Sequence, residues 1–256
     1  MGGPLLDKQT WRWAAASRTG TSHLRTGTRK QDAYRIVQFP QGALCAVVSD
    51  GAGSASHGGQ GASLACRHLV ACMKAWLLEH EQLPDLGEVR CWIDDLRDRL
   101  TAIAKRRELR LRDFASTLVM LTIHGDQGLA LQIGDSALVA RKEGVWEAVC
   151  WPENGEFAST TYFITDQPEV RLHAFPFDLE HDAFSLFSDG LDSVALEQAS
   201  QKPFSRFFDP MIKPVDEAEG QGKLANLSQV LGNYLDSENL CERTDDDKTL
   251  ILISGR

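Results

Sequence analysis

Apolar residues fall along this chain in two rhythms. Residues 43–48 form an unbroken apolar run of strand length, and residues 184–187 and 249–253 form two further apolar-rich runs. Runs of this length bounded by turn residues predict buried strands. Tyr34 and Ile36 alternate with polar positions ahead of a turn at Gln41-Gly42, which makes residues 34–37 and 43–48 a hairpin. The second rhythm is helical. Leu64, Ala65, His68, Leu69, Cys72, Ala75 and Trp76 recur at three- and four-residue steps, and predict an amphipathic helix over residues 60–78. Pro84 and Gly87 punctuate. Val89, Trp92, Ile93, Leu96, Leu100, Ile103 and Ala104 then predict a second long helix. Its charge run, Asp94, Asp95, Arg97, Asp98 and Arg99, reads as a solvated face with pairs one turn apart.

A strand-rich block follows. Residues 114–123, 129–133, 137–141 and 145–149 are strand-like and separated by turns, the pattern of an antiparallel meander. Residues 11–16 read as extended, 162–165 as a short strand, 191–196 as the start of a helix and 224–235 as a helix. Residues 17–30, rich in Gly, Ser, Thr and basic side chains, read as a loop. Residues 202–215 carry three prolines with Phe204, Phe207 and Phe208, and also read as an ordered loop. Its 203–211 portion is a candidate substrate flap, although packing of the three rings onto the core is the simpler role.

Composition narrows the class. The chain has 256 residues, 43% apolar and 8% aromatic, which suits one globular domain over residues 1–256. The net charge of −9 argues against nucleic-acid or anionic-membrane partners, which need a basic surface. No apolar run approaches the ~18–20 residues of a membrane span, and the N-terminus lacks a signal-peptide pattern. Cys45, Cys66, Cys72, Cys91, Cys150 and Cys241 form no C-x-x-C pair, so reduced thiols in a cytoplasmic protein are expected.

Candidate chemistry lies where apolar runs end. Residues 43–48 lead into Ser49-Asp50-Gly51, and residues 184–187 into Ser188-Asp189-Gly190. Asp32 precedes the first strand of the hairpin and Asp50 follows the second, so antiparallel pairing brings them together. Asp135 and the Asp245-Asp246-Asp247 cluster stand at other strand ends. A single Asp-Gly is most simply a turn or a helix cap; Asp-Gly at two apolar strand ends is harder to ascribe to turns. Glycine next to a ligating Asp lets the backbone approach closely. Converging carboxylates repel unless cations sit between them, and oxygen-only ligands select Mg²⁺ or Mn²⁺. Two such ions roughly 3.5–4 Å apart activate water and clamp phosphate oxygens, which is the chemistry of phosphoester hydrolysis.

Gly20-Thr21-Ser22-His23, Lys30-Gln31-Asp32-Ala33, Val48-Ser49-Asp50-Gly51-Ala52-Gly53, Gly134-Asp135-Ser136, Ser188-Asp189-Gly190 and Asp246-Asp247-Lys248-Thr249 occur in that order. Together they resemble the metal-dependent type-2C Ser/Thr protein phosphatases, the PPM family. Gly155-Glu156-Phe157-Ala158 and the 243–249 segment are similar to its bacterial PphC-like branch. The resemblance implies an α+β fold, a four-layer α-β-β-α sandwich of two antiparallel sheets flanked by helices. It implies hydrolysis of phosphoserine and phosphothreonine by a metal-activated water, without a phosphoenzyme. Asp32, Asp50, Asp189 and Asp246 would hold two Mn²⁺ or Mg²⁺ ions with the Gly51 carbonyl, and Asp135 a third, weaker ion. Partners would be a phosphorylated protein substrate and an opposing Ser/Thr kinase.

Two departures stand out. The family often has an Arg five residues before the first metal Asp, where this chain has Gly27; Arg29, His23 and Arg25 are the candidate phosphate ligands instead. Many members have His after the first Asp-Gly, where this chain has Ala52; His57 is the candidate general acid. One rival reading is a catalytically weak or inactive PPM-like module that binds phosphoproteins. Another is a serine hydrolase, with Ser136 in Gly134-Asp135-Ser136-Ala137-Leu138 as nucleophile and His181 in Asp178-Leu179-Glu180-His181 as base.

Overall fold

The structure, a computed structural model, describes residues 10–155 and 161–255. The first half of the chain runs through β1 (Arg12–Arg18), α1 (Thr21–Thr26), β2 (Ala33–Gln38), β3 (Leu44–Ser49), α2 (Gly58–Glu79), α3 (Leu86–Arg106) and β4 (Leu118–His124). Four more strands follow, β5 (Gln127–Ile133), β6 (Ala137–Lys142), β7 (Val145–Cys150) and β8 (His173–Asp178). The remainder comprises β9 (Ala183–Phe187), α4 (Asp192–Ala195), β10 (Leu196–Glu197), β11 (Lys202–Pro203), α5 (Ser205–Asp216), β12 (Gly222–Lys223), α6 (Ala225–Leu235), α7 (Glu238–Cys241) and β13 (Lys248–Ser254).

Strands collect into a sheet ordered β12-β1-β13-β9-β6-β7 and another ordered β2-β3-β4-β5-β8. All neighbours are antiparallel except β12 on β1. Successive strand side chains point to opposite faces, and β3 shows why its run is continuously apolar. Leu44, Ala46 and Val48 face the six-stranded sheet, meeting Leu138, Phe184, Leu186 and Ile251. Cys45 and Val47 face outward onto α2 and α3, among Leu69, Met73, Ile93 and Leu96. The other sheet is covered in the same way by α5 and α6 through Phe208, Ile212, Leu231 and Leu235. The layers are therefore helices, sheet, sheet, helices, as the resemblance implied. No helix among the described residues is long and apolar enough to cross a membrane.

Several local readings change. The 17–30 stretch contains the short helix α1, closed by Gly27 in the left-handed region at φ +70°. Residues 162–165 do not form a strand; Thr161 makes one isolated bridge to Asn154. Phe114 ends a turn of 3-10 helix, Leu111–Phe114, before β4 begins at Leu118. The 202–215 segment is not a loop or a flap: most of it is α5, with Pro210 and Pro214 inside the helix. Phe207, Phe208, Ile212 and Val215 are buried at helical spacing, while Phe204 is 43% exposed. Burial of those four side chains, about 2 kcal/mol each, outweighs two proline interruptions of about 3 kcal/mol each. Both prolines lie on the exposed face, so their rings meet solvent.

Candidate metal centre

Backbone pairing assembles the acidic cluster. In the β2–β3 hairpin Ala33 pairs with Ser49, which puts Asp32 and Asp50 side by side just beyond the last pair. In the other sheet Phe187 pairs with Leu250, and Ser188 N–H donates to the Thr249 carbonyl at 3.2 Å. Asp189 and Asp246 thus emerge at the same end. Asp135 sits in the turn between β5 and β6, where Gly134 adopts φ +89°. These ends open on one cleft of about 620 Å³, with Asp50, Asp135, Asp189, Asp192 and Asp246 in its walls.

Asp32 is the most enclosed of them, at 5% exposure. Its Oδ2 accepts from the Ser188 hydroxyl at 2.7 Å and the Thr249 hydroxyl at 2.6 Å. The Thr249 hydroxyl lies 2.8 Å from Ser17 Oγ, which in turn accepts from Lys30 Nζ. Asp32 is therefore oriented by hydroxyls from two neighbouring strands of the opposite sheet, at the end of β9 and in β13. Its Oδ1 is buried and, among the described residues, has no donor; the same holds for Asp135 Oδ1 and Asp192 Oδ1.

The two Asp-Gly glycines have a more specific reason than closeness to an ion. A Cβ on Gly51 would lie 2.3 Å from the Gly58 carbonyl carbon, and one on Gly190 would lie 2.0 Å from the Asp247 carbonyl oxygen. What approaches in each case is backbone of the neighbouring segment, so the glycines allow the walls to close.

The electrostatics follow from this crowding. Burial raises the pKa of Asp32. For Asp50 burial acts first, then the charges of Asp32, Asp189 and Asp246, and its pKa lies well above the carboxylate range. Asp189 is pushed up to about 8 by burial and by Asp135, Asp246 and Asp32. Burial together with Asp189 and Asp135 pushes Asp192 up to about 9. A cleft that resists its own ionisation, with orphaned buried carboxylate oxygens, fits hard divalent cations. Among the described residues no three side chains close into a ready-made cage; the carboxylates stand around an open cleft.

Asp192 had no role in the sequence reading, where it passed as the start of a helix. The available signal was Asp-Gly-Leu-Asp. Residues three apart share a face on one helical turn, and the 3-10 turn Asp189–Leu191 leads directly into α4. Asp247 faces away from the cleft. It is 1% exposed, and its carboxylate accepts from Gly20 N at 2.7 Å, His23 Nδ1 at 2.9 Å, Gln31 N at 2.5 Å and, more weakly, Asp32 N at 3.4 Å. It therefore ties down both ends of the segment before Asp32. Asp247→Ala is expected to lower stability in chelator by about 3 kcal/mol, because it strands buried donors; urea unfolding measures this.

The candidate phosphate ligands separate. His23 lines the cleft and is held by Asp247. Arg25 is exposed and paired with Asp245 at 2.9 Å. Arg29 lines an adjacent groove instead, as does His57. The turn after Gly51 folds back, with Ala55 N–H donating to the Ala52 carbonyl and His57 N–H to Asp113. That carries the His57 ring out of the cleft to within 5.4 Å of Phe114. The Gly27 departure also has a local reason, since the left-handed α1 terminus disfavours a side chain. Ser136 is fully buried and bonded to Thr117 Oγ1 at 2.9 Å, while His181 Nε2 pairs with Glu147 at 2.6 Å. No serine–histidine pair forms between them. Part of the 155–158 motif, residues 156–158, lies outside the described residues.

Comparison with known proteins agrees with this architecture. The protein phosphatase 2C family model matches residues 19–232. Serine/threonine-protein phosphatase 3 of Escherichia coli (strain K12) is 36% identical over 250 residues, 95% of this chain and 98% of that protein. Among solved structures, PppA, a key regulatory component of T6SS in Pseudomonas aeruginosa, superposes with a TM-score of 0.66 at 22% identity, covering 96% of this chain and 97% of that one. The serine/threonine phosphatase Stp1 from Staphylococcus aureus gives 0.65 at 18%, covering 94% of each chain. The solved structures speak for the fold, and the family match and the E. coli relative extend the likeness to sequence. On this sandwich, with its acid-lined end, the chain belongs to the protein phosphatase 2C family.

Proposed function

We propose that this protein is a metal-dependent protein serine/threonine phosphatase whose centre is the acid-lined cleft. The observation that carries the reading is the set of buried carboxylate oxygens, without donors among the described residues, on Asp32, Asp135 and Asp192, in a cleft whose other acids resist ionisation. Mn²⁺ or Mg²⁺ held there would supply water activation and neutralise charge on the phosphoryl group.

Asp32, Asp50, Asp189 and Asp246, with the Gly51 carbonyl, would hold two ions, and Asp135 with Asp192 a third. Ser188 and Thr249 keep Asp32 in one orientation. His23 stands at the cleft wall beside the space a phosphate would enter, and Asp247 fixes its ring. The reaction adds water across a phosphomonoester, breaking the P–O bond to the seryl or threonyl oxygen and releasing alcohol and phosphate. A Ser/Thr kinase would make the substrate, and six free thiols suit a cytoplasmic setting.

Hydrolysis of a phosphoserine peptide should vanish in EDTA and return on titration with Mn²⁺ or Mg²⁺. No hydrolysis of that peptide or of p-nitrophenyl phosphate at any metal concentration would support the non-catalytic, phosphoprotein-binding reading instead.

A further inference from the structure

Beside the acidic cleft lies a groove of about 580 Å³, within the roughly 300–1,000 Å³ usual for ligand sites. The two share Gln31 as a lining residue. The cleft continues along Gly53 and Ser54, and the groove begins at Ser56 and His57, so one short turn forms the wall between them. Their charges are opposite. Arg29, Arg67 and Arg107 line the groove, and among the described residues no Asp or Glu does. That is unusual in a chain of 36 acidic and 27 basic residues.

Arg29, Arg67 and Arg107 are exposed. Arg67 Nε donates to the Ser63 carbonyl at 3.2 Å, and Arg107 Nη1 to Gln60 Oε1 at 2.6 Å. These are neutral acceptors, and among the described residues neither arginine forms an ion pair, so both hold further N–H donors. The N-terminus of the 22-residue helix α2 forms part of the same wall. Its first turn contains no acid, and His57 gives it no side-chain cap, so the helix dipole adds positive potential.

We infer that this groove is a docking site for an acidic stretch flanking the phosphorylated residue of the protein substrate, and that it sets substrate preference. The inference rests on the phosphatase reading of the adjacent cleft. A chain whose phosphate enters the cleft and which continues over the Gln31 and Ser54–Ser56 wall brings its next side chains to the arginines. Exposed charge pairs are individually weak, so the groove acts through several of them, and on encounter and KM rather than on the bond-breaking step.

The test compares phosphoserine peptides of one sequence flanked by Glu or by Gln, together with p-nitrophenyl phosphate, on the full chain and on the double variant Arg67→Gln, Arg107→Gln. The wild type should favour the Glu peptide through KM, and high salt should erase that preference. The double variant should lose about tenfold in kcat/KM on the Glu peptide, roughly threefold for each exposed pair removed, with the Gln peptide and p-nitrophenyl phosphate unchanged. Equal losses on all three substrates, or an acid preference that survives in the variant, would overturn the groove. A wild type inactive on all three sinks the phosphatase reading instead. Fluorescence anisotropy of the labelled peptides then still decides the groove, by whether the Glu peptide binds tighter and loses that margin in the variant.

Discussion

Asp50→Asn is expected to cut phosphopeptide turnover at saturating Mn²⁺ by at least about a hundredfold, because even residues that only orient metal ligands are worth about 10–100-fold. The same variant should not be less stable than the wild type in chelator, and should melt higher above neutral pH. Asp50 is enclosed among Asp32, Asp189 and Asp246, and each of those charges opposes its ionisation. An amide removes one repelling group while keeping the shape of the side chain. Asp247→Ala should behave in the opposite way, losing stability first, since that carboxylate is surrounded by donors instead of by other acids. Thermal unfolding in EDTA, set beside turnover, separates the two classes of Asp. A fully active Asp50→Asn would sink the assignment of the centre.

The second large effect is a pH-dependent response to metal. Asp189 and Asp192 have folded-state pKa values pushed up to about 8 and about 9, from an ordinary 3.8. The folded state therefore holds protons that the unfolded chain has released. The stability this gives is complete below the unfolded value and is lost as pH rises through the folded values. In chelator, the melting temperature should fall from mildly acid to mildly alkaline pH, and Asp189→Asn should flatten that fall. Divalent cations take over from the protons, and competition with protons weakens as pH rises. The rise in melting temperature on adding Mg²⁺ should accordingly grow with pH over the same window. A gain that is flat with pH, or that shrinks as pH rises, would show that these carboxylates are not where the cation binds.

Much of the fold was legible because burial on two faces leaves a mark in sequence. The runs at residues 43–48 and 249–253 are apolar at every or nearly every position because one face meets the opposite sheet and the other meets helices. Strand ends were legible too, so Asp32 and Asp50 could be placed side by side from hairpin pairing alone, while Asp189 joins them from the other sheet. α5 was missed because Pro210 and Pro214 are strong local signals for a break. Their cost is set against burial of Phe207, Phe208, Ile212 and Val215, which becomes visible only once the neighbouring sheet is present.

What the amino-acid order by itself determined is the set of acids at strand ends, the glycines after two of them, and the helical and strand periods that bring those ends into play. These are local properties, written in spacing and side-chain type. The tertiary structure alone decided which polar groups share a cavity. It put Asp192 in the cleft, turned Asp247 into the anchor of residues 20–32, carried His57 and Arg29 over the wall, and gathered Arg67 and Arg107 beside them. The physical reason is that a side chain's partners depend on the path of the backbone between elements. A turn such as residues 52–57 can send neighbours in sequence to opposite sides of one wall.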